Sequence, residues 1–182
     1  KGECHLTLDD LLAHGEGLLM AVVAPAGAAG PGLKAALERL REAFPDHLHL
    51  AVSRAHGSAD QRHMAVLARL AHKYRLPLVA IGDVLYHAPE RRPLQDVLTC
   101  IREGKTLATV GTRLQVNAER HLRSHAGMLH LFRGYEPAVA QAARLFGRIG
   151  FSLDELRYQY PDAPVFEELG CEALPAQQAL ER

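Results

Sequence analysis

The chain has 182 residues, 48% of them apolar, enough for one medium domain with a continuous core or for a domain with an appendage. Lys+Arg and Asp+Glu balance at 21 each, which excludes a disordered polyelectrolyte tail and argues against a duplex-binding surface that works by bulk phosphate neutralisation. Cys4, Cys100 and Cys171 are far apart and form no Cys-x-x-Cys, so neither a zinc knuckle nor a disulfide scaffold is supported, and a reduced, cytoplasmic chain is expected.

The first apolar run, Gly17 to Ala29, contains Pro25 and two glycines and is too short to span a bilayer. No signal peptide precedes it, and no membrane partner is expected. The chain begins at Lys1, as a piece excised from a longer protein would. Within the run, "GLLMAVVAP" (Gly17 to Pro25) reads as a strand buried on both faces, and "AAGPG" as the loop after it. Leu33, Leu37, Leu40 and Phe44 recur at helical spacing until Pro45. "HLHLAV" (His47 to Val52) is a second strand, and "HGSAD" a turn with capping residues. Met64, Leu67, Ala68, Ala71 and Tyr74 make the next apolar helical stripe.

"LPLVAIGD" is a third strand. Leu94, Val97, Leu98 and Ile101 mark a helix from Pro93 to Gly104. Strand and helix alternating three times predict a parallel α/β sheet or barrel. After about Thr112 the pattern changes. "VNAERHLRSHAGMLHLF" and "EPAVAQAARLFGRIG" read as helices with no strand between them, the second with Val139, Ala142, Ala143 and Phe146 as its apolar face. "YPDAP" reads as an extended linker, and the last segment as a helix broken by Pro175.

In parallel α/β architectures, ligands gather beyond the carboxyl ends of the strands. Asp83 follows the apolar "LVAIG" and is placed at such an end, with Gly82 allowing a sharp turn before it. Its carboxylate either faces a site or caps its own turn, "DVLYHAPE". Eleven histidines raise the question of a metal. His47 and His49 sit at a strand entry, His56 and His63 flank a helix start, and His87 follows the Asp83 turn. His121 and His125 are four apart, a possible pair on one helical face. A catalytic divalent site needs three or more convergent ligands, and no such set assembles from these spacings. Most of the histidines are therefore expected to be solvated or satisfied by hydrogen bonds. There is no Gly-x-Ser-x-Gly elbow, Walker A loop or His-Glu-x-x-His, and "GAAGPG" reads as a plain strand-to-helix loop. Arg91, Arg92, Arg102 and Lys105 form a basic fringe offset by Glu90, Asp96 and Glu103.

The stretch "LPLVAIGDVLYHAPERRPLQDVLTCIREG", Leu76 to Gly104, resembles bacterial C-family DNA polymerases, most closely their damage-inducible, error-prone branch. "CHLTLDDLLAHGEGLLMAVVAP" and "FSLDELRYQYPDAPV" are similar to earlier and later parts of the same region. The resemblance implies a polymerase-and-histidinol-phosphatase (PHP) fold, a distorted parallel β/α barrel. Residues 1–130 would be its later part, and residues 131–182 a mostly helical extension and linker toward the polymerase core.

Family members with an intact site carry an Asp-x-His pair after this strand that helps to hold divalent metals. Here the pair reads Asp83-Val84-Leu85, and Ala51 stands near the place of a family ligand Glu. The family's opening His-x-His would lie before Lys1. The resemblance therefore implies a vestigial site at Asp83 and a non-catalytic scaffold within an error-prone polymerase acting in translesion synthesis, DNA repair and damage-induced mutagenesis. The polymerase's own carboxylates, binding Mg²⁺, would lie beyond Arg182, so no catalytic residue and no cofactor are expected in the chain itself. DNA, deoxynucleotides and mutagenesis-complex proteins would be partners of the whole polymerase, and an incomplete barrel would self-associate. The alternative is a metal-dependent phosphoesterase or exonuclease working through Asp83, His56 and His87.

Overall fold

Residues 4–24 and 30–157 are described by the computed structural model. The "YPDAP" linker, the helix broken by Pro175, Cys171 and the first half of the "GAAGPG" loop lie outside the described residues. The chain divides into two compact units, Lys1–Ile149 and Gly150–Arg182. In the second, the short 3-10 helix Leu153–Glu155 opens on a capping box, the Ser152 amide donating to the Glu155 carboxylate at 3.1 Å.

The first unit begins with α1 (Leu8–His14), whose start is fixed by a capping box between Thr7 and Asp10. Its hydrogen bonds from Thr7 hold the Asp10 carboxyl below its usual range. β1 (Met20–Val23), β2 (Leu48–Val52) and β3 (Leu78–Ala80) form a three-stranded parallel sheet in that order, with Met20 level with Leu48 and Leu50 level with Leu78. Between the strands run α2 (Pro31–Ala43) and α3 (Asp60–Tyr74), the crossovers that parallel strands require. The alternation read from the sequence is thus present, with three strands of a parallel α/β arrangement among the described residues.

β2 is buried along its whole length, as a central strand of such a sheet must be. Leu48, Leu50 and Val52 join Leu37 and Leu40 of α2 and Met64, Leu67, Leu70, Ala71 and Tyr74 of α3 in one core cluster. The α3 stripe differs from the sequence reading in one position: Leu70 is buried and Ala68 only partly so. β1 departs further. Its burial alternates, and Val23 is 55% exposed, so the strand is covered on one face only. β1 is an edge strand among the described residues, and four residues of unbroken hydrophobicity cannot report which face lacks a neighbour.

α4 (Arg92–Glu103) is led in by a 3-10 turn, Pro89–Arg91, and ends at Gly104, whose φ of 61° is the left-handed conformation that closes helices. The helix forms where the sequence puts it, but its sides are reversed relative to an ordinary core helix. Thr99 and Cys100 are buried, Arg92 bonds the Gln115 carbonyl and pairs with Asp96, and Leu94, Val97, Leu98 and Ile101 face outward.

Residues 116–124, expected to be helical, are not. They are irregular, with a parallel bridge between Tyr86 and His121, and only α5 (His125–Leu131) is helix, capped by Ser124. α6 (Glu136–Phe146) packs with β3, burying Ala138 and Val139. Ala143 and Phe146, counted in its apolar face, are exposed, Phe146 to 75%. The packed side of the helix also carries Gln141, which bonds the buried His49 ring on β2 at 3.3 Å.

Phe132, fully buried between α5 and α6, carries much of this packing. Phe132→Ala is expected to cost about 3–5 kcal/mol, and Phe146→Ala less than about 0.5 kcal/mol, in urea unfolding. Equal costs would contradict the assigned face of α6.

Candidate functional site

β2 and β3 end side by side, the Ile81 amide donating to the Val52 carbonyl at 2.9 Å. Each is followed by a turn in which a residue other than glycine adopts the left-handed conformation: His56 (φ 54°) after β2 and Asp83 (φ 46°) after β3. Such conformations cost on the order of 1–2 kcal/mol unless the surroundings hold them. The sequence assigned the sharp turn to Gly82; the structure puts it on Asp83. At Gly82 a Cβ would stand 2.9 Å from Cγ2 of the exposed Val84, so that side chain would have to shift.

The restraint comes from a strap, residues 117–123, lying beside both turns. Arg120 grips Asp83 twice: Nη2 pairs with the Oδ1 carboxylate oxygen at 2.6 Å, and Nε donates to the Asp83 main-chain carbonyl at 2.7 Å. The Arg120 carbonyl in turn accepts from the Leu85 amide at 2.9 Å, and the Leu122 amide donates to the Tyr86 carbonyl at 3.2 Å. On the other side, Asn117 Nδ2 donates to the Ala55 carbonyl at 2.6 Å, while its Oδ1 accepts from the Glu119 amide at 3.0 Å. The Glu119 carboxylate accepts from Arg123 and lies 3.7 Å from the His56 ring, which adds an ionic attraction only when protonated. Asp60 completes the β2 turn by accepting from the Ala55 amide at 2.8 Å.

The Asp83 carboxylate is held by the Arg120 guanidinium and makes no hydrogen bond to its own turn among the described residues. The three candidate residues have three separate surroundings. Asp83 meets Arg120, His56 meets Glu119, and His87 is exposed in a shallow cavity of about 210 Å³ with Leu85, Leu94 and Leu98 against α4. His121 bonds the Leu122 carbonyl at 2.8 Å from a bridge residue, while His125 opens α5, so the two do not form a helical pair. His49 and His63 are satisfied histidines, bonded to the carbonyls of Met20 at 3.3 Å and Ala24 at 3.0 Å.

These residues do not fit a divalent metal cluster. Among the described residues, no three His, Cys, Asp or Glu side chains stand together as ligands. Leu85 offers no donor, the Asp83 carboxylate is paired with Arg120, Glu119 is paired with Arg123, and Asp60 accepts from the Ala55 amide. A divalent ion 4 Å from Arg120 would meet a repulsion of about 8 kcal/mol at an effective dielectric of 20, before solvent screening. Asp83 is 43% exposed, so solvent screening reduces that repulsion.

Sequence reasoning missed Arg120, Asn117 and Glu119. Arg120 lies 37 positions from Asp83, in a stretch whose Glu119–Arg123 spacing imitates an i, i+4 helical pair. Arg54 was also missed. It reaches the Leu131 carbonyl at 2.6 Å and tethers α5 to the end of β2, with its Nε buried and unpartnered.

No family model matches the chain. It is 46% identical over 165 residues, 91% of its length, to an error-prone DNA polymerase of Bradyrhizobium sp. (strain ORS 278). It is 45% identical over the same share to one of Rhodopseudomonas palustris (strain BisB5), and 44% to one of Caulobacter vibrioides (strain ATCC 19089 / CIP 103742 / CB 15). The chain spans 14–15% of the length of these curated relatives.

A double-mutant cycle with Asp83→Asn and Arg120→Gln is expected to give a coupling of about 0.5–1 kcal/mol that weakens in 1 M salt. Additive single effects in denaturant unfolding would show that the pair does not hold the turn.

Proposed function

This chain belongs to the error-prone DNA polymerase family, and from that premise we propose that it is a non-catalytic packing segment of such a polymerase. Residues 1–130 are the later part of a PHP-type barrel, and residues 131–182 lead toward the polymerase core. Three parallel strands with helical crossovers support that assignment, because they are what part of a β/α barrel would contribute. DNA and deoxynucleotide binding, the Mg²⁺-dependent nucleotidyl transfer and any contact with mutagenesis proteins belong to the longer polypeptide. Its work is translesion synthesis and damage-induced mutagenesis in the cytoplasm. No helix among the described residues is long and apolar enough to cross a membrane.

The observation that carries the non-catalytic reading is the clasp of Arg120 on Asp83. A cation supplied by the chain takes the carboxylate that a metal would need, and Leu85 stands where a second ligand would be. The enzymatic alternative, a metal-dependent phosphoesterase or exonuclease using Asp83, His56 and His87, requires the three to converge. Their separate partners argue against it.

Calorimetric titration of the 182-residue chain with Mn²⁺ and Zn²⁺ is expected to show no stoichiometric binding. Assays on a phosphate monoester and on single-stranded DNA are expected to match the buffer rate. Two or more tightly held ions per chain, with hydrolysis abolished by Asp83→Asn, would establish the enzymatic alternative.

A further inference from the structure

We propose that the strap, residues 117–123, is a latch that opens and closes as one piece over the carboxyl ends of β2 and β3 while the core stays folded. The inference does not rest on the polymerase reading, since it uses only how the strap is held. No residue of the strap is buried, so no apolar anchor ties it to the core. Its backbone forms no helix of its own and finds partners on the β3 turn instead. The Arg120 carbonyl accepts from the Leu85 amide at 2.9 Å, and the Leu122 amide donates to the Tyr86 carbonyl at 3.2 Å. A segment held by a few polar bonds, with little buried apolar surface, belongs to the low end of local stability and opens without global unfolding.

Two features make the opening a single event. Tyr86, itself buried, reaches both ends of the strap. Its main chain bridges His121 and bonds Leu122, and its hydroxyl donates to the Asn117 main-chain carbonyl at 3.5 Å. Arg123 braces the strap from within, donating to the Glu119 carbonyl at 3.3 Å and pairing with the Glu119 carboxylate. Releasing Arg120 from Asp83 therefore loosens the segment that carries Asn117 to Ala55, and releasing Asn117 loosens the segment that carries Arg120 to Asp83. Such coupling is reciprocal. The Arg120–Asp83 pair is ionic and only partly shielded from solvent, so the latch also answers to ionic strength. When open, it frees the Asp83 carboxylate and the Ala55 carbonyl at the end of the sheet.

Hydrogen exchange of single amides in the full 182-residue chain, followed by NMR, tests this. After correction for intrinsic rates, the Leu85 and Leu122 amides are expected to exchange about tenfold or more faster than the Leu50 amide, which bonds the Pro77 carbonyl in the core. Asn117→Ala should speed exchange at Leu85, on the other turn, by about two- to ten-fold. Asp83→Asn keeps a residue suited to a left-handed turn but removes its charge, and it should speed exchange at the Glu119 amide, which bonds Asn117 Oδ1. Both variants should leave Leu50 unchanged. Sodium chloride at about 1 M should speed Leu85 and Leu122 without speeding Leu50. Equal protection at Leu85, Leu122 and Leu50 would overturn the proposal, because the strap would then open only with the whole fold. Asn117→Ala leaving Leu85 untouched would overturn it as well, since the two turns would then open separately. Exchange at Leu85 indifferent to salt would rule out ionic control of the latch.

Discussion

The two bonds from Arg120 to Asp83 decide what the carboxyl end of this sheet can be. One satisfies the carboxylate and the other the main-chain carbonyl of the same residue, so the guanidinium both neutralises the site and holds the left-handed turn on which Asp83 sits. The rest of the strap follows from that anchor. With Arg120 fixed, its carbonyl receives the Leu85 amide and Leu122 pairs with Tyr86. Asn117 and Glu119 then come within reach of the β2 turn at Ala55 and His56. An end of a parallel sheet that is open for ligands in many α/β proteins is here laced to its own chain.

Much of the fold was legible because it depends on local pattern. Leu33 to Phe44 and Met64 to Tyr74 have the 3.6-residue period of helices packed on one side, and both fold that way. The parallel strands follow from apolar runs separated by helix-length crossovers. Burial was less legible. Periodicity marks a stripe on α4 but not whether a neighbour exists to cover it, and the stripe of Leu94, Val97, Leu98 and Ile101 faces solvent. On α6 the packed side buries Ala138 and Val139 and includes a polar contact, Gln141 to His49, that a hydrophobic count does not register.

Of the candidate site, the sequence placed Asp83 at the carboxyl end of a strand, where it does lie after β3. Its partner could not be read, because Arg120 sits in a segment whose charges have helical spacing and whose backbone is instead irregular. Pairing over 37 positions leaves no trace in local composition. The resemblance to error-prone DNA polymerases draws attention to Asp83, and the structure shows that residue paired with Arg120. The chain spans only 14–15% of the length of the curated relatives it matches.

Diffraction from crystals of the chain grown in millimolar manganese, recorded at the manganese absorption edge, tests this most directly. The account predicts Arg120 Nη2 against Asp83 Oδ1 and no anomalous peak within ligand distance of that carboxylate. An ordered manganese ion coordinated by Asp83, with Arg120 swung away, would contradict it.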